Sequence, residues 1–217
     1  MPITYGCDEQ KKIHLLTQYR LYPVVHTVLL RGRSITCCCG QAITGEFYQF
    51  DAIDLAGNIL NVLFASDACA QDLLRLSQTH GSGPITLLPL FNPMQQMHRE
   101  IHDESVVQEH SSRRHPLNAE VEEAIYLAVM CEDWPPQQRR VFTELLDRIR
   151  RNPTQPVMDW EVKTMNTAIS KGGKCLAAML NVQRERNAGL KHYAFPEISA
   201  ALKREAARTG LRIHCNL

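Results

Sequence analysis

The hydrophobic period of the chain changes partway along. In the first part apolar residues run together or alternate, and from about residue 118 they recur at three and four. Residues 22–30 (YPVVHTVLL) are β-branched and apolar and predict a buried strand. Residues 47–53 (FYQFDAI) and 59–64 (ILNVLF) alternate, with Asp54-Leu55-Ala56-Gly57-Asn58 between them. The Gly-Asn pair predicts a hairpin turn. A helix is expected over 69–76. A short strand is expected over 85–90, weakened by Pro84 and Pro89, because proline removes a ladder donor.

Residues 93–117 are polar, hold four histidines and read as a connector, helical over 94–104 and loop thereafter. Five helices follow. Asn118 is the expected N-cap of 119–131, with Val121, Ile125, Ala128 and Val129 as its stripe. Pro135 and Pro136 open the second, whose inner face is Val141, Leu145, Leu146 and Ile149, and Asn152-Pro153 stops it. Asp159 is the expected cap of a third through Ser170. The fourth covers 174–187, and the fifth opens at Pro196 and closes at Gly210. Residues 211–215 alternate and predict an edge strand.

At 217 residues, with 44% hydrophobic and 22% charged positions, the chain has a soluble globular composition and enough length for a sizeable core. No apolar run reaches the roughly 20 residues that span a bilayer. The polar segment 1–18 lacks the apolar core of a secretory signal, so a cytoplasmic location is expected. In that reducing compartment eight cysteines predict thiols and metal ligands rather than disulfides. The net charge of +1 hides a split: residues 1–133 carry −7 and residues 134–217 carry +8. Such a split predicts a basic C-terminal surface for an acidic protein or nucleic acid, or else halves that neutralise each other.

Cys37-Cys38-Cys39-Gly40, with Cys69 thirty residues on from Cys39, is the densest chemistry in the chain. A glycine after closely spaced thiols lets the backbone turn beneath them and aim sulfurs at one tetrahedral ion. Cys39-Gly40, Tyr48, Gly57-Asn58, Ser66-Asp67 and Cys69-Ala70 resemble the small zinc modules of bacterial and mobile-element proteins. Those modules run from a Cys-rich knuckle through an aromatic strand and a glycine turn to an Asp-x-Cys-Ala helix start. The likeness covers residues 35–76 and implies a bound zinc. Cys37, Cys39 and Cys69 are the expected ligands, with Cys38 as the alternative to Cys37 because Thr36 stands where the usual first cysteine falls. The fourth ligand is left among Cys7, His26, Asp67 and His80. The expected fold class is therefore α+β. A mixed, treble-clef-like zinc subdomain over 1–92 precedes a His-rich connector over 93–117 and a basic helical domain over 118–217.

Other chemistry is thinner. His98 and His102 share a helical face, but Arg99 occupies the general-base position of a His-Glu-x-x-His site. Residues 176–193 (LAAMLNVQRERNAGLKHY) loosely resemble a helix-turn-helix, with Asn181 and Val182 at the turn, although Gln183 stands where Ser or Thr usually caps. Arg139, Arg140, Arg148, Arg150, Arg151, Arg184, Arg186 and Lys191 are the expected contacts to an acidic partner, since guanidinium forks grip carboxylates and phosphates. The sequence therefore predicts a non-enzymatic, zinc-stabilised binding protein. The zinc-module resemblance suggests a plasmid- or phage-type accessory factor that acts on a host protein or nucleoprotein complex. A DNA-binding regulator and, further off, a metal-dependent hydrolase are the alternatives.

Overall fold

Three runs marked as strands by their pattern form one sheet. The computed structural model describes residues 4, 6, 8–80, 83–94, 114–171, 173 and 175–217. Its strands are β1 (Arg20–Val28), β2 (Ile35–Thr36), β3 (Ala42–Ile43), β4 (Glu46–Ile53) and β5 (Ile59–Ala65). β1, β4 and β5 pair antiparallel in the order β1-β4-β5, and β2 and β3 form a separate two-stranded ladder. The β4–β5 turn forms as expected. Gly57 takes φ of +86°, and the Asp54 carboxylate accepts the Asn58 N–H at 2.7 Å.

The alternation in β4 does not produce one wet face. Every residue from Phe47 to Ile53 is buried, Gln49 and Asp51 included. The central strand is covered on both faces, and Asp51 meets a buried arginine described below. Two helices pack on this sheet, α1 (Glu9–Gln18) and α2 (Asp67–His80). No pattern in the sequence marked α1. Its buried residues are only Lys12, Leu15 and Leu16 in a polar segment, started by the Asp8 carboxylate accepting the Gln10 N–H. Residues 85–90 make no strand. Pro84 and Pro89 donate nothing, and the segment meets β1 through the Leu88 carbonyl at His26, with Phe91 just beyond it bridging Thr27.

The helical region contains α3 (Pro116–Cys131), α4 (Pro136–Arg151), α5 (Asp159–Ser170), α6 (Leu176–Arg186) and α7 (Pro196–Thr209). This gives an α+β fold with an N-terminal antiparallel sheet and five C-terminal helices, as expected. α3 starts earlier than expected, capped by His115 with Pro116 in its first turn. Asn118 is no cap. It is buried, donates to the carbonyls of Pro153 (3.0 Å) and Gln155 (2.8 Å), and accepts the Val157 N–H (2.9 Å). In α4 Phe142 is fully buried, whereas Val141 is only half-buried. Met158, not Asp159, precedes α5, and the Glu161 carboxylate accepts its N–H at 2.8 Å. Gly210 ends α7 with φ of +68°, as its position predicts. The tail 211–215 makes no strand. It is held by Asn216, whose carbonyl accepts the Leu176 N–H at 2.7 Å.

The chain divides into two compact units. Unit 1 is Met1–Pro93 with Asp133–Thr143, and unit 2 is Met94–Glu132 with Glu144–Leu217. Within unit 2, α5 packs on α7, and α3 packs on α6 and α7. Residues 95–113, and with them His98, His102 and nearly all of the helix expected over 94–104, lie outside the described residues. No described helix is long and apolar enough to cross a membrane.

Candidate metal centre

The knuckle is a turn between two very short strands. β2 ends at Thr36, and the backbone then curls. The Cys37 N–H donates to the Gln41 carbonyl (2.8 Å), the Gly40 N–H to the Cys37 carbonyl (2.8 Å), and Gly40 takes φ of +90°. The Cys38 N–H donates to the Phe64 carbonyl at 2.7 Å, which fastens the turn to β5. At the end of β5, Ser66 starts α2: its carbonyl accepts the Ala70 N–H at 2.9 Å. Cys69 therefore lies in the first turn of a helix.

These elements bring Cys37, Cys38 and Cys69 together, all buried, with their sulfurs within 4.8 Å of one another. Cys37 Sγ and Cys38 Sγ are 3.9 Å apart. A tetrahedral zinc with Zn–S bonds of about 2.3 Å has sulfurs about 3.8 Å apart, so this pair spans one edge of such a site. The Ser66 N–H donates to Cys37 Sγ at 3.3 Å. The hydrogen bond from Cys38 pulls the Cys37 thiol down to about 4, against the opposing effect of burial. The same hydrogen bond, with burial second, drives Cys38 well above the usual thiol range. A cluster that already favours one thiolate suits a thiophilic ion that displaces the remaining protons.

The cluster overlaps the expected ligand set in part. Cys37 and Cys69 take part, but the third member of the cluster is Cys38, not Cys39. The expected turn is present after Thr36, and within it Cys38 rather than Cys39 falls beside Cys37 and Cys69. Cys39 is half-buried against the same core. Of the fourth-ligand candidates, His26 is not part of this cluster, and its buried Nε2 makes no hydrogen bond among the described residues. Its Nδ1 meets the Leu88 carbonyl at 3.1 Å and its ring stacks on Tyr48 at 3.8 Å. Asp67 engages the Tyr48 hydroxyl. His80 ends α2, eleven residues from Cys69, about 16 Å along the helix. Cys7 lies outside the described residues. The other described cysteines, Cys131, Cys175 and Cys215, are in no disulfide.

The expected basic contacts divide. Arg139 is not offered to a partner. It is buried, donating to Asp51 at 3.2 Å, while Thr143 donates to the other Asp51 oxygen at 2.6 Å. Burial lifts the Asp51 carboxyl to about 6, and Arg139 and Thr143 oppose that rise. This cluster was missed, although an Asp within an apolar strand is a signal that a partner must exist. A cleft of about 270 Å³ beside it is lined by Leu60, Val62, Phe64 and Trp134. Arg148 pairs with Glu161, Arg150 with Glu122, and Arg151 with Asp147. Arg140, Arg151, Arg186 and Lys191 are exposed. Arg184 is half-buried and donates to the Lys191 carbonyl. The helix-turn-helix reading fails at its turn: Leu176–Arg186 is one unbroken helix, with Asn181 and Val182 inside it.

The chain belongs to the family described as uncharacterised conserved protein UCP028583, whose model matches residues 4–209. No curated protein and no solved structure matches it.

Proposed function

We propose that this protein is a non-enzymatic binding protein whose N-terminal unit is a treble-clef-like module held by one structural zinc. The observation that carries the reading is the buried cluster of Cys37, Cys38 and Cys69 where knuckle, hairpin and helix start converge. Zinc is the ion of choice because buried, closely spaced thiolates on a knuckle and a helix are its structural ligand set. Cys39 stands beside the cluster. The partner-facing surface is the exposed basic set of the second unit, Arg151, Arg186 and Lys191, with the half-buried Arg184 beside them in sequence, and the partner is acidic. An accessory role toward a host protein or nucleoprotein complex fits that chemistry. The unbroken α6 removes the feature on which a helix-turn-helix regulator would rest.

The test is elemental analysis of chain purified without chelator, with about one zinc per chain expected. A fully folded, metal-free protein would sink the reading. For the basic surface, the probe is a poly-glutamate peptide titrated over a range of salt. Affinity should fall steeply as salt rises, and binding that ignores salt would reject an electrostatic partner.

A further inference from the structure

We propose that the cleft between β5 and the segment leading into α4 binds a small uncharged molecule, a single aromatic ring carrying one carbonyl oxygen, with Arg139 as the donor to that oxygen. The site lies wholly within the first unit and shares no residue with the thiol cluster.

β5 is an edge strand of its sheet. Val62 and Phe64 lie opposite Asp51 and Gln49 in register, so their side chains share one face. The register slips between Ala52 and Ile53, which leaves Leu60 as the extra residue of a bulge. A bulge re-aims a side chain, and Leu60 is 51% exposed here. Trp134 is the facing wall, buried and braced edge-on by Phe142 at 5.4 Å between ring centroids. The space enclosed is about 270 Å³, just under the range of drug-sized ligands, so it suits one ring with a short substituent. Phe64 and Trp134 favour a flat aromatic ring over an aliphatic body.

Arg139 also lines the cleft. Its Nη1 donates to Asp51 at 3.2 Å, whereas its Nε is buried and makes no hydrogen bond among the described residues. A buried donor left unmade is costly, and an acceptor entering by the cleft would remove that cost. The charge of the ligand follows from the pairs already present. The charged side chains of the lining are Arg139, held by Asp51, and Asp133, held by Arg33 at 2.7 Å. A carboxylate would enter beside Asp51 and Asp133 with both guanidinium groups already paired, and a cation would meet Arg139. A neutral carbonyl oxygen accepts from the donor and meets neither repulsion.

The experiment is titration of the isotope-labelled full chain with benzamide, read by NMR at the indole N–H of Trp134 and the Nε–H of Arg139. Trp160 is the only other tryptophan and lies in the second unit, so it serves as the internal reference, and Trp160→Phe assigns the two indoles. Both reporters should move saturably with one dissociation constant while Trp160 stays still. Toluene, which lacks the acceptor, and benzoate, which adds a charge, should each bind at least about tenfold more weakly. Val62→Phe should abolish the response by filling the cleft. Should that variant not fold, Leu60→Ala removes an exposed wall and should weaken benzamide several-fold. No saturable response of Trp134 would overturn the proposal, as would full affinity in both variants. Toluene binding as tightly as benzamide, or an Arg139 Nε–H that stays still while Trp134 moves, would overturn it by showing that the oxygen goes unread. Benzoate binding more tightly than benzamide would overturn the neutral class.

Discussion

The knuckle and the helix α3 solve the same problem by opposite means. Around the knuckle, secondary structure is minimal: β2 and β3 are two residues each, and the turn between them is a run of thiols. Short strands bury little apolar area, so such a segment needs a cross-link. In α3, Val121, Ala124, Ile125, Leu127 and Ala128 are all at 0% exposure, and a helix apolar nearly all round is held chiefly by packing. Under the proposed function, one region is held by a few strong bonds to an ion and the other by many weak contacts. The first should therefore fail all at once, and the second by degrees.

The largest effect should come from the metal. Cys69→Ser should lose zinc and solubility together, because structural zinc contributes on the order of 10 kcal/mol and its binding is coupled to folding. Hydrogen exchange should show lost protection across β2, β3 and the start of α2, while α5 and α7 keep theirs. Equal loss in both regions would erase the contrast.

Next come single breaks in packing and pairing. Ile125→Ala in α3 should cost about 2–5 kcal/mol by cavity formation. Asp51→Ala should cost about 3–5 kcal/mol, since it strands a buried guanidinium, and a second change, Arg139→Met, should recover much of that. Denaturant midpoints check all three, and a double variant no better than the single would show that the two residues act separately.

A smaller effect is pH-dependent. Asp51 is lifted from 3.8 to about 6, so the folded chain binds its proton more readily than the unfolded chain does. The sign follows: the contribution of Asp51 to stability is greatest below about pH 4 and is lost as pH rises through 6. The difference in melting temperature between wild type and Asp51→Asn should vary across that window and level off above it. A flat difference would remove Asp51 as the titrating group.

The smallest structural effect belongs to the basic surface. Arg151→Glu with Arg186→Glu should change stability by less than about 1 kcal/mol, since exposed charges contribute little. The same change should weaken poly-glutamate binding several-fold. If the double reversal instead unfolds the chain, these arginines are structural.

Much of the fold was legible because strands, turns and helix ends carry local signals. Gly57, Pro136, Pro196 and Gly210 each fell where its backbone preference predicts. The failures have a common cause. Asn118, Asp51 and Arg139 look like a cap, a solvent-facing strand position and a surface charge, and each is buried by a partner distant in the sequence. Local propensity cannot register such partners. The thiol cluster was legible in composition and only partly in its members, because three adjacent cysteines in a turn do not show by spacing alone which of their sulfurs converge. α1 was invisible for the opposite reason: too few apolar residues to show a period.

Asn118 has a consequence of its own. One amide holds the stretch from Pro153 to Val157 at three points, offering hydrogens to two carbonyls and an oxygen to one N–H. Aspartate has nearly the same shape, yet its ionised form has no hydrogen to offer, and the two carbonyls would face a negative oxygen. What this position demands is neither size nor charge but a side chain with one end of each polarity. Spontaneous loss of ammonia from that amide would exchange a clasp for a repulsion without altering the outline of the site.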